Sequence, residues 1–353
     1  MAKLLMKGNE AIAEAAIQAG CRFFYGYPIT PQNEIPEYMA RRMPKVDGVF
    51  LQAESEVSAI NMVYGTAGTG RRVMTSSSSP GISLKQEGIS YLIGAELPCV
   101  IVNIARGGPG LGSIQPAQSD YFQSTRGGGH GDYRMVVYAP DSVQEAVDLT
   151  QKAFDVADRY RNPALILGDG VIGQMMEPVV MPDYHEPEDL PAKDWAAVGW
   201  DGTRQRAVLN SLYMDPKQLE RHNLHLKAKY DQMERDELLY DSHMLEDAQI
   251  VLVAYGTSAR IALAAAKRAR QQGVKAGMIR PITVWPFPYQ AIAEAAKTAE
   301  AFMAVEMSTG QLVEDVRLAV GGARPVEHFG RTGGVVPSVR ETAERIVALK
   351  EGL

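Results

Sequence analysis

The chain has 353 residues, 46% of them apolar and 22% charged, an ordinary composition for a folded protein and enough length for roughly two or three domains. Its net charge is −6 and its basic residues cluster nowhere, so nucleic acid and anionic membrane surfaces have no electrostatic footprint. No run of about 18 uninterrupted apolar residues occurs, so no membrane-spanning helix is expected.

The N-terminal MAKLLMKGNEAIAEAAIQAG carries Glu10 and Glu14 inside its apolar pattern and reads as an amphipathic helix, Gly8 to Ala19, not as a signal peptide. A strand from Arg22 to Tyr25 leads into a turn in which Pro28 and Pro31 bracket Thr30. Proline fixes its own φ and pushes the preceding residue out of the helical region, so the Thr30 hydroxyl is held at a strand end, as a cap or as a ligand contact. A helix from Pro31 to Met43 and a strand from Val49 to Gln52 follow. In AESEVSAINMVYGTAGTG, Val57, Ile60 and Val63 recur at helical spacing. The strand Arg72 to Thr75 then runs into Ser76-Ser77-Ser78-Ser79-Pro80-Gly81 and a helix to Leu92. The strand Cys99 to Ile104, a long glycine-rich loop, the strand Met135 to Ala139, the helix Val143 to Tyr160 and the strand Ala164 to Leu167 complete the first unit, residues 1–177. Such alternation implies βαβ units on a buried parallel sheet.

Residues 178–246 read as a proline-marked connector carrying a charged, exposed helix over Asp215 to Leu239. Alternation resumes in 247–353, with a strand over Ile250 to Tyr255, the turn Gly256-Thr257-Ser258, a helix from Ala259 to Gln272 and strands over Lys275 to Ile279 and Phe302 to Glu306. This is a second, smaller α/β domain. Ligands of open α/β sheets sit outside the carboxyl ends of strands. That rule selects Thr30, Glu54 to Glu56, Ser76 to Gly81 and Arg106 to Gly112, each just after a strand.

Glu54 and Glu56 open a helix, where the backbone dipole favours acid by about 0.3–1 kcal/mol. A carboxylate at the mouth of an otherwise apolar helix can also exchange a proton with a bound heterocycle. Arg106 is either a surface arginine before a flexible loop or a guanidinium fixed to hold a carboxylate. The glycine spacing after it does not open a helix directly after a strand, so it is no dinucleotide fingerprint. Ser76 to Ser79 offer four hydroxyls, of which capping uses one or two, and no GxSxG elbow surrounds them; Ser78 is retained as a candidate cofactor contact. His130, in the glycine-rich RGGGHGDYR, is a ligand contact or a surface histidine. His222 and His225 read as a solvated helix face, and no metal ligands are expected. Cys21 and Cys99 lie apart in apolar surroundings and read as buried free thiols, which fits a cytoplasmic protein.

Together GYPITPQNEIPEY, FLQAESEVSAINMVYG, MTSSSSPGISLKQEGISYLIGAELPCVIVNIARGGPG and GGGHGDYR resemble the α subunit of 2-oxoacid:ferredoxin oxidoreductases, nearest to those acting on ketoisovalerate (3-methyl-2-oxobutanoate). The likeness is detailed from about Gly8 to Pro178, and GTSARIA, RPITVWPFP and MSTGQLVEDVR resemble the family's transketolase-C-like domain. It implies a parallel-sheet domain of the thiamine-pyrimidine-binding type followed by that smaller α/β domain. It further implies that Glu56 hydrogen-bonds N1′ of the thiamine pyrimidine, that Thr30 contacts the 2-oxoacid and that Arg106 steadies its carboxylate.

Gly168-Asp169-Gly170 has the opening of the thiamine enzymes' magnesium-diphosphate motif, but the next asparagine after Asp169 is Asn210, beyond the connector. That half of the site is absent, and two isolated cysteines cannot hold an iron–sulfur cluster. The resemblance therefore implies a β-type subunit bringing the diphosphate, Mg2+ and [4Fe-4S] sites, with γ and ferredoxin-like δ chains as further partners. Ferredoxin accepts the electrons and coenzyme A the acyl group. The alternatives are the same chemistry on 2-oxoglutarate or pyruvate, and a silent scaffold. A second substrate carboxylate needs another cation, and the loop after Arg106 has none before Arg126, which favours a branched apolar substrate.

Overall fold

A computed structural model describes residues 3–200 and 202–353. Its elements run β1 (Leu4–Lys7), α1 (Gly8–Gln18), β2 (Phe23–Gly26), α2 (Glu34–Arg42), β3 (Val49–Gln52), α3 (Glu56–Ala67), β4 (Val73–Ser77), α4 (Pro80–Gly94), β5 (Val100–Ala105), α5 (Tyr121–Thr125), β6 (Val136–Tyr138), α6 (Val143–Tyr160), β7 (Ala164–Asp169), α7 (Gly170–Gln174) and β8 (Met176–Val179). Then come α8 (Pro216–Asp236), β9 (Tyr240–His243), β10 (Ile250–Val253), α9 (Gly256–Gln271), β11 (Ala276–Pro281), β12 (Thr283–Trp285), α10 (Tyr289–Ala295), β13 (Ala301–Glu306), α11 (Leu312–Val320), β14 (Val326–Gly330) and α12 (Val339–Glu351).

Two α/β sheets carry the fold, as the alternation predicts. The first has seven strands in the order β12-β6-β7-β5-β4-β2-β3, parallel except for β12. Every residue of β4, β5 and β7 is buried, which is why VIVNIA and ALILGD read as continuous apolar runs rather than alternating ones. The second has five strands in the order β14-β13-β10-β11-β9, with β9 antiparallel at its edge. A short antiparallel pair, β1 with β8, was not expected from the sequence.

Other boundaries shift for physical reasons. The second helix begins at Glu34, not Pro31, because side chains take the carbonyl of Pro31: Asn9 Nδ2 and Gln174 Nε2 each donate to it at 2.8 Å. Gly256, Thr257 and Ser258 are the first turn of α9, not a separate turn. RPITVWPFP passes from one sheet to the other: Arg280 and Pro281 end β11 of the second, while β12 pairs with β6 of the first.

The connector helix is not simply exposed. On α8, Leu226, Tyr230 and Met233 are buried in the core that covers the first sheet. Of the two histidines read as a solvated face, His225 is exposed and His222 half-buried, and both have partners: His222 Nε2 lies 2.8 Å from Gly94 O and His225 Nε2 lies 2.9 Å from Glu96 Oε1. Lys229 joins them, 3.0 Å from the same Glu96 oxygen. No helix among the described residues is long and apolar enough to cross a membrane.

Three contacts lock the sheets together. Gln118 donates from Nε2 to Tyr255 O at 2.8 Å and accepts on Oε1 from Ser258 Oγ (2.6 Å) and Met307 N (2.9 Å). Tyr121 and Arg126 both bond the buried Asp315, at 2.7 and 2.8 Å. Arg280 meets Asp141 at 3.1 Å, Glu145 at 2.7 Å and Asp241 at 2.6 Å.

Candidate active site

The carboxyl ends of β2, β3, β4 and β5 bring together what their loops carry. After β3, the side chain of Ser55 accepts from Ser58 N and caps α3. This capping directs the two acids apart. Glu54 is exposed and bonded to the Ser58 hydroxyl, whereas Glu56 is buried. The room for Glu56 comes from α4. A Cβ on Gly81 would stand 2.6 Å from Glu56 Oε1 and 2.0 Å from Ser77 Oγ, so only glycine allows this approach.

Between β4 and α4 the chain turns at Ser79, whose φ of 22° is unusual for a residue with a Cβ. Three contacts hold it there. Its N–H donates to Asn103 Oδ1 at 3.1 Å, its hydroxyl donates to Asp120 Oδ2 at 2.6 Å, and its oxygen accepts from Arg106 N at 3.0 Å. Burial pushes the Asp120 carboxyl above its ordinary value, while Ser79 and Asn103 draw it down. Next to this turn the hydroxyls of Ser77 and Ser78 are buried without a hydrogen-bond partner.

Arg106 follows β5 and is 8% exposed. Nη1 donates to Thr30 O at 2.9 Å and Nη2 to Leu111 O at 3.1 Å, while Nε is buried and unpaired. The Thr30 side chain is exposed, its Oγ1 accepting only a long 3.4 Å contact from Asn33 Nδ2. A cavity of about 560 Å³ opens beside it, lined by Thr30, Asn33, Glu34, Gln115, Gly170 and Gly334. A larger one of about 750 Å³, between α6 and residues 183–189, shares no residue with this group.

Thus Thr30 and Arg106 touch, Glu56 meets the Ser77–Gly81 turn that contains Ser78, and His130 stands apart. His130 is exposed, 3.4 Å from Ser90 Oγ and edge-on to Tyr91. Ser90 lies some ten residues along α4 from the end facing Glu56, about 15 Å at the helical rise. A cofactor contact by His130 would therefore be made away from that end. Asp169 caps α7 through Val171 N and Ile172 N and accepts from Thr257 Oγ1 at 2.9 Å, which commits it to structure. Among the described residues no cluster of three or more His, Cys, Asp or Glu could hold a metal.

Sequence reading included Gly81 only as the end of the Ser76 to Gly81 stretch, without its part in making room for Glu56, and missed Asn103, Asp120 and Lys85. Lys85 is fully buried, donating from Nζ to Thr75 Oγ1 at 2.8 Å and Ser76 O at 2.9 Å. In SLKQEG it has the look of any surface lysine, so no local signal could have found it.

A buried carboxylate that no described residue hydrogen-bonds, beside two orphaned hydroxyls and a glycine-made recess, suits the pyrimidine end of thiamine diphosphate. The family model described as pyruvate flavodoxin/ferredoxin oxidoreductase, thiamine-diphosphate-binding, matches residues 14–240, and that for pyruvate:ferredoxin oxidoreductase core domain II matches 248–342. Fold and matches together define an α/β component of a thiamine-diphosphate-dependent oxidoreductase. The chain belongs to the 2-oxoacid:ferredoxin oxidoreductase family.

It is 51% identical to ketoisovalerate oxidoreductase subunit VorB of Methanothermobacter marburgensis, over 98% of this chain and 97% of that one. It is 37% identical to 2-oxoglutarate synthase subunit KorA of Methanothermobacter thermautotrophicus, over 98% of each. It also superposes on the 2-oxoglutarate:ferredoxin oxidoreductase of Magnetococcus marinus, solved with 2-oxoglutarate, coenzyme A and succinyl-CoA bound. There the TM-score is 0.85 and the identity 24%, over 98% of this chain but 65% of that one.

Proposed function

We propose that this chain is the α-type subunit of a thiamine-diphosphate-dependent oxidoreductase that oxidatively decarboxylates 3-methyl-2-oxobutanoate to an acyl-CoA and CO2, with ferredoxin as electron acceptor. The observation that carries the reading is Glu56, a buried carboxylate at a strand end that no described residue hydrogen-bonds. The branched-chain substrate rests on the 51% identity to a ketoisovalerate oxidoreductase subunit, against 37% to a 2-oxoglutarate synthase subunit.

When bound, thiamine diphosphate supplies the carbon nucleophile and the electron sink for decarboxylation. The roles of the chain's own residues are narrower. Glu56 holds and moves a proton at N1′ of the pyrimidine. Ser78 offers its unpaired hydroxyl to the same end. Thr30 presents its side chain to the 2-oxoacid, and Arg106, with five donors and two of them committed to carbonyls, steadies the substrate carboxylate.

The rest must come from elsewhere. The only two cysteines are buried free thiols, so the [4Fe-4S] clusters belong to partner chains. A β-type subunit supplies Mg2+, the diphosphate site and a cluster, and γ and δ chains complete the path to ferredoxin. Buried free thiols also accord with a cytoplasmic location.

The test is anaerobic, viologen-linked oxidation of a panel of 2-oxoacids by the complex purified through this chain, with coenzyme A and thiamine diphosphate added. Preference for 3-methyl-2-oxobutanoate supports the reading, and activity on 2-oxoglutarate alone overturns the substrate. Glu56→Gln should lower turnover by roughly 10²-fold or more with assembly intact. Full activity in that variant would mean a scaffold.

A further inference from the structure

We propose that Lys85 is a positioning residue for the reaction: its ammonium, held beneath the start of α3, steadies the Glu56 carboxylate that faces the cofactor. This rests on the thiamine reading above.

Gly81 and Lys85 are four residues apart on α4 and so share a face. That face is the one that meets Glu56, since Gly81 is where the carboxylate comes closest. Lys85 has no exposed surface, and among the described residues no carboxylate lies within the 4.0 Å ion-pair distance of Nζ. Lysine is almost never buried in this way without a paired charge. Its acceptors are Thr75 Oγ1 and Ser76 O, and the Thr75 hydroxyl gives its own proton to Tyr25 O at 2.6 Å, so it can only accept from Nζ. Two acceptors satisfy a neutral amine, while an ammonium keeps a third N–H to spend.

The titratable groups facing Lys85 are Glu56 on α3 and Cys99 just ahead of β5. Burial raises the Cys99 thiol far above its ordinary value and leaves it uncharged. Glu56 is thus the one facing carboxylate. Burial lowers Lys85 to about 7, and the Glu56 charge opposes that fall. Negative charge on the carboxylate favours the ammonium form of Lys85, and the ammonium in turn attracts that charge.

The experiment measures thiamine diphosphate affinity of the cofactor-depleted native complex across neutral pH, alongside the pH profile of kcat/KM. In the wild type, affinity should decline as pH rises through about 7. Lys85→Met should remove that inflection and weaken affinity below it by roughly ten-fold, the equivalent of one pKa unit of coupling. Thr75→Val keeps the lysine but takes an acceptor from the ammonium, so its inflection should move to lower pH. A Lys85→Met profile that superimposes on the wild type overturns the proposal. If that variant does not assemble, an unmoved inflection in Thr75→Val overturns it. A wild-type complex that binds the cofactor with no inflection also overturns this proposal alone, whereas failure to bind thiamine diphosphate at all overturns the thiamine reading with it.

Discussion

Arg106 donates from Nη1 to the carbonyl oxygen of Thr30 at 2.9 Å, joining two strand ends that lie 76 residues apart in sequence. The bond makes one rigid edge from the two loops expected to meet the substrate. It also divides the guanidinium between holding the turn and facing a ligand. Arg106→Lys keeps the charge but loses the fork, and a hydrogen bond from a charged group contributes about 1.5–3 kcal/mol. We expect kcat/KM for the 2-oxoacid to fall roughly 10- to 100-fold, with most of the change in KM. Steady-state kinetics on the assembled complex would show it, and an unchanged KM would remove Arg106 from substrate binding.

Gly81→Ala tests the recess around Glu56. The added methyl would meet Ser77 Oγ at 2.0 Å and Glu56 Oε1 at 2.6 Å, distances no real contact tolerates. Alanine suits a helix better than glycine, so α4 itself should not suffer. The expected outcome is a cofactor affinity lowered by about ten-fold or more with an unaltered circular dichroism spectrum. Wild-type affinity in this variant would show that Glu56 lies off the cofactor.

Arg280 is 4% exposed and serves Asp141, Glu145 and Asp241 at once. Arg280→Met leaves three acids facing one another with only the more distant Arg260 as a counter-charge. Breaking a buried ion pair on one side costs about 3–5 kcal/mol. Thermal or urea unfolding should register a loss of that order, and a change below about 1 kcal/mol would mean that water already screens the cluster.

Acid stability should depend on Glu96. Its burial raises the carboxyl, but Lys229 and His225 outweigh that and hold it below its ordinary value of 4.5. A carboxyl depressed in the folded state contributes stability that is present above its unfolded value and lost as pH falls through the folded one. Glu14 and Glu34 are depressed as well, through Arg42 and Lys7, with the same sign. The melting temperature should therefore decline as pH drops below about 4.5, and Glu96→Gln should flatten part of that acid limb. A variant as acid-sensitive as the wild type would exclude α8 from the effect.

Much of this was legible in the residues alone, because it depends on local pattern. Burial on both faces writes a parallel strand as an apolar run, so VIVNIA and ALILGD marked β5 and β7 to within a residue or two at each end, whereas VFLQ matches β3, a largely exposed strand at the sheet's edge. The helix read over Val143 to Tyr160 is α6 without adjustment, capped by Ser142. The strand-end rule selects Thr30 and the stretches that contain Glu56 and Arg106, and the family resemblance picks those residues out of them.

What tertiary structure alone decided is what depends on residues far apart in sequence. The β12 strand of the second unit enters the first sheet, and α8 buries Lys229 against Glu96 although it reads as a solvated helix. His130, adjacent in motif to the rest of the site, is carried to the other end of α4. Lys85 and Glu56 share an environment only because Gly81 lets two helices close over one strand end. Local propensity and periodicity are summed along the chain, whereas burial of a charge and the choice of its partner are fixed by how the elements pack.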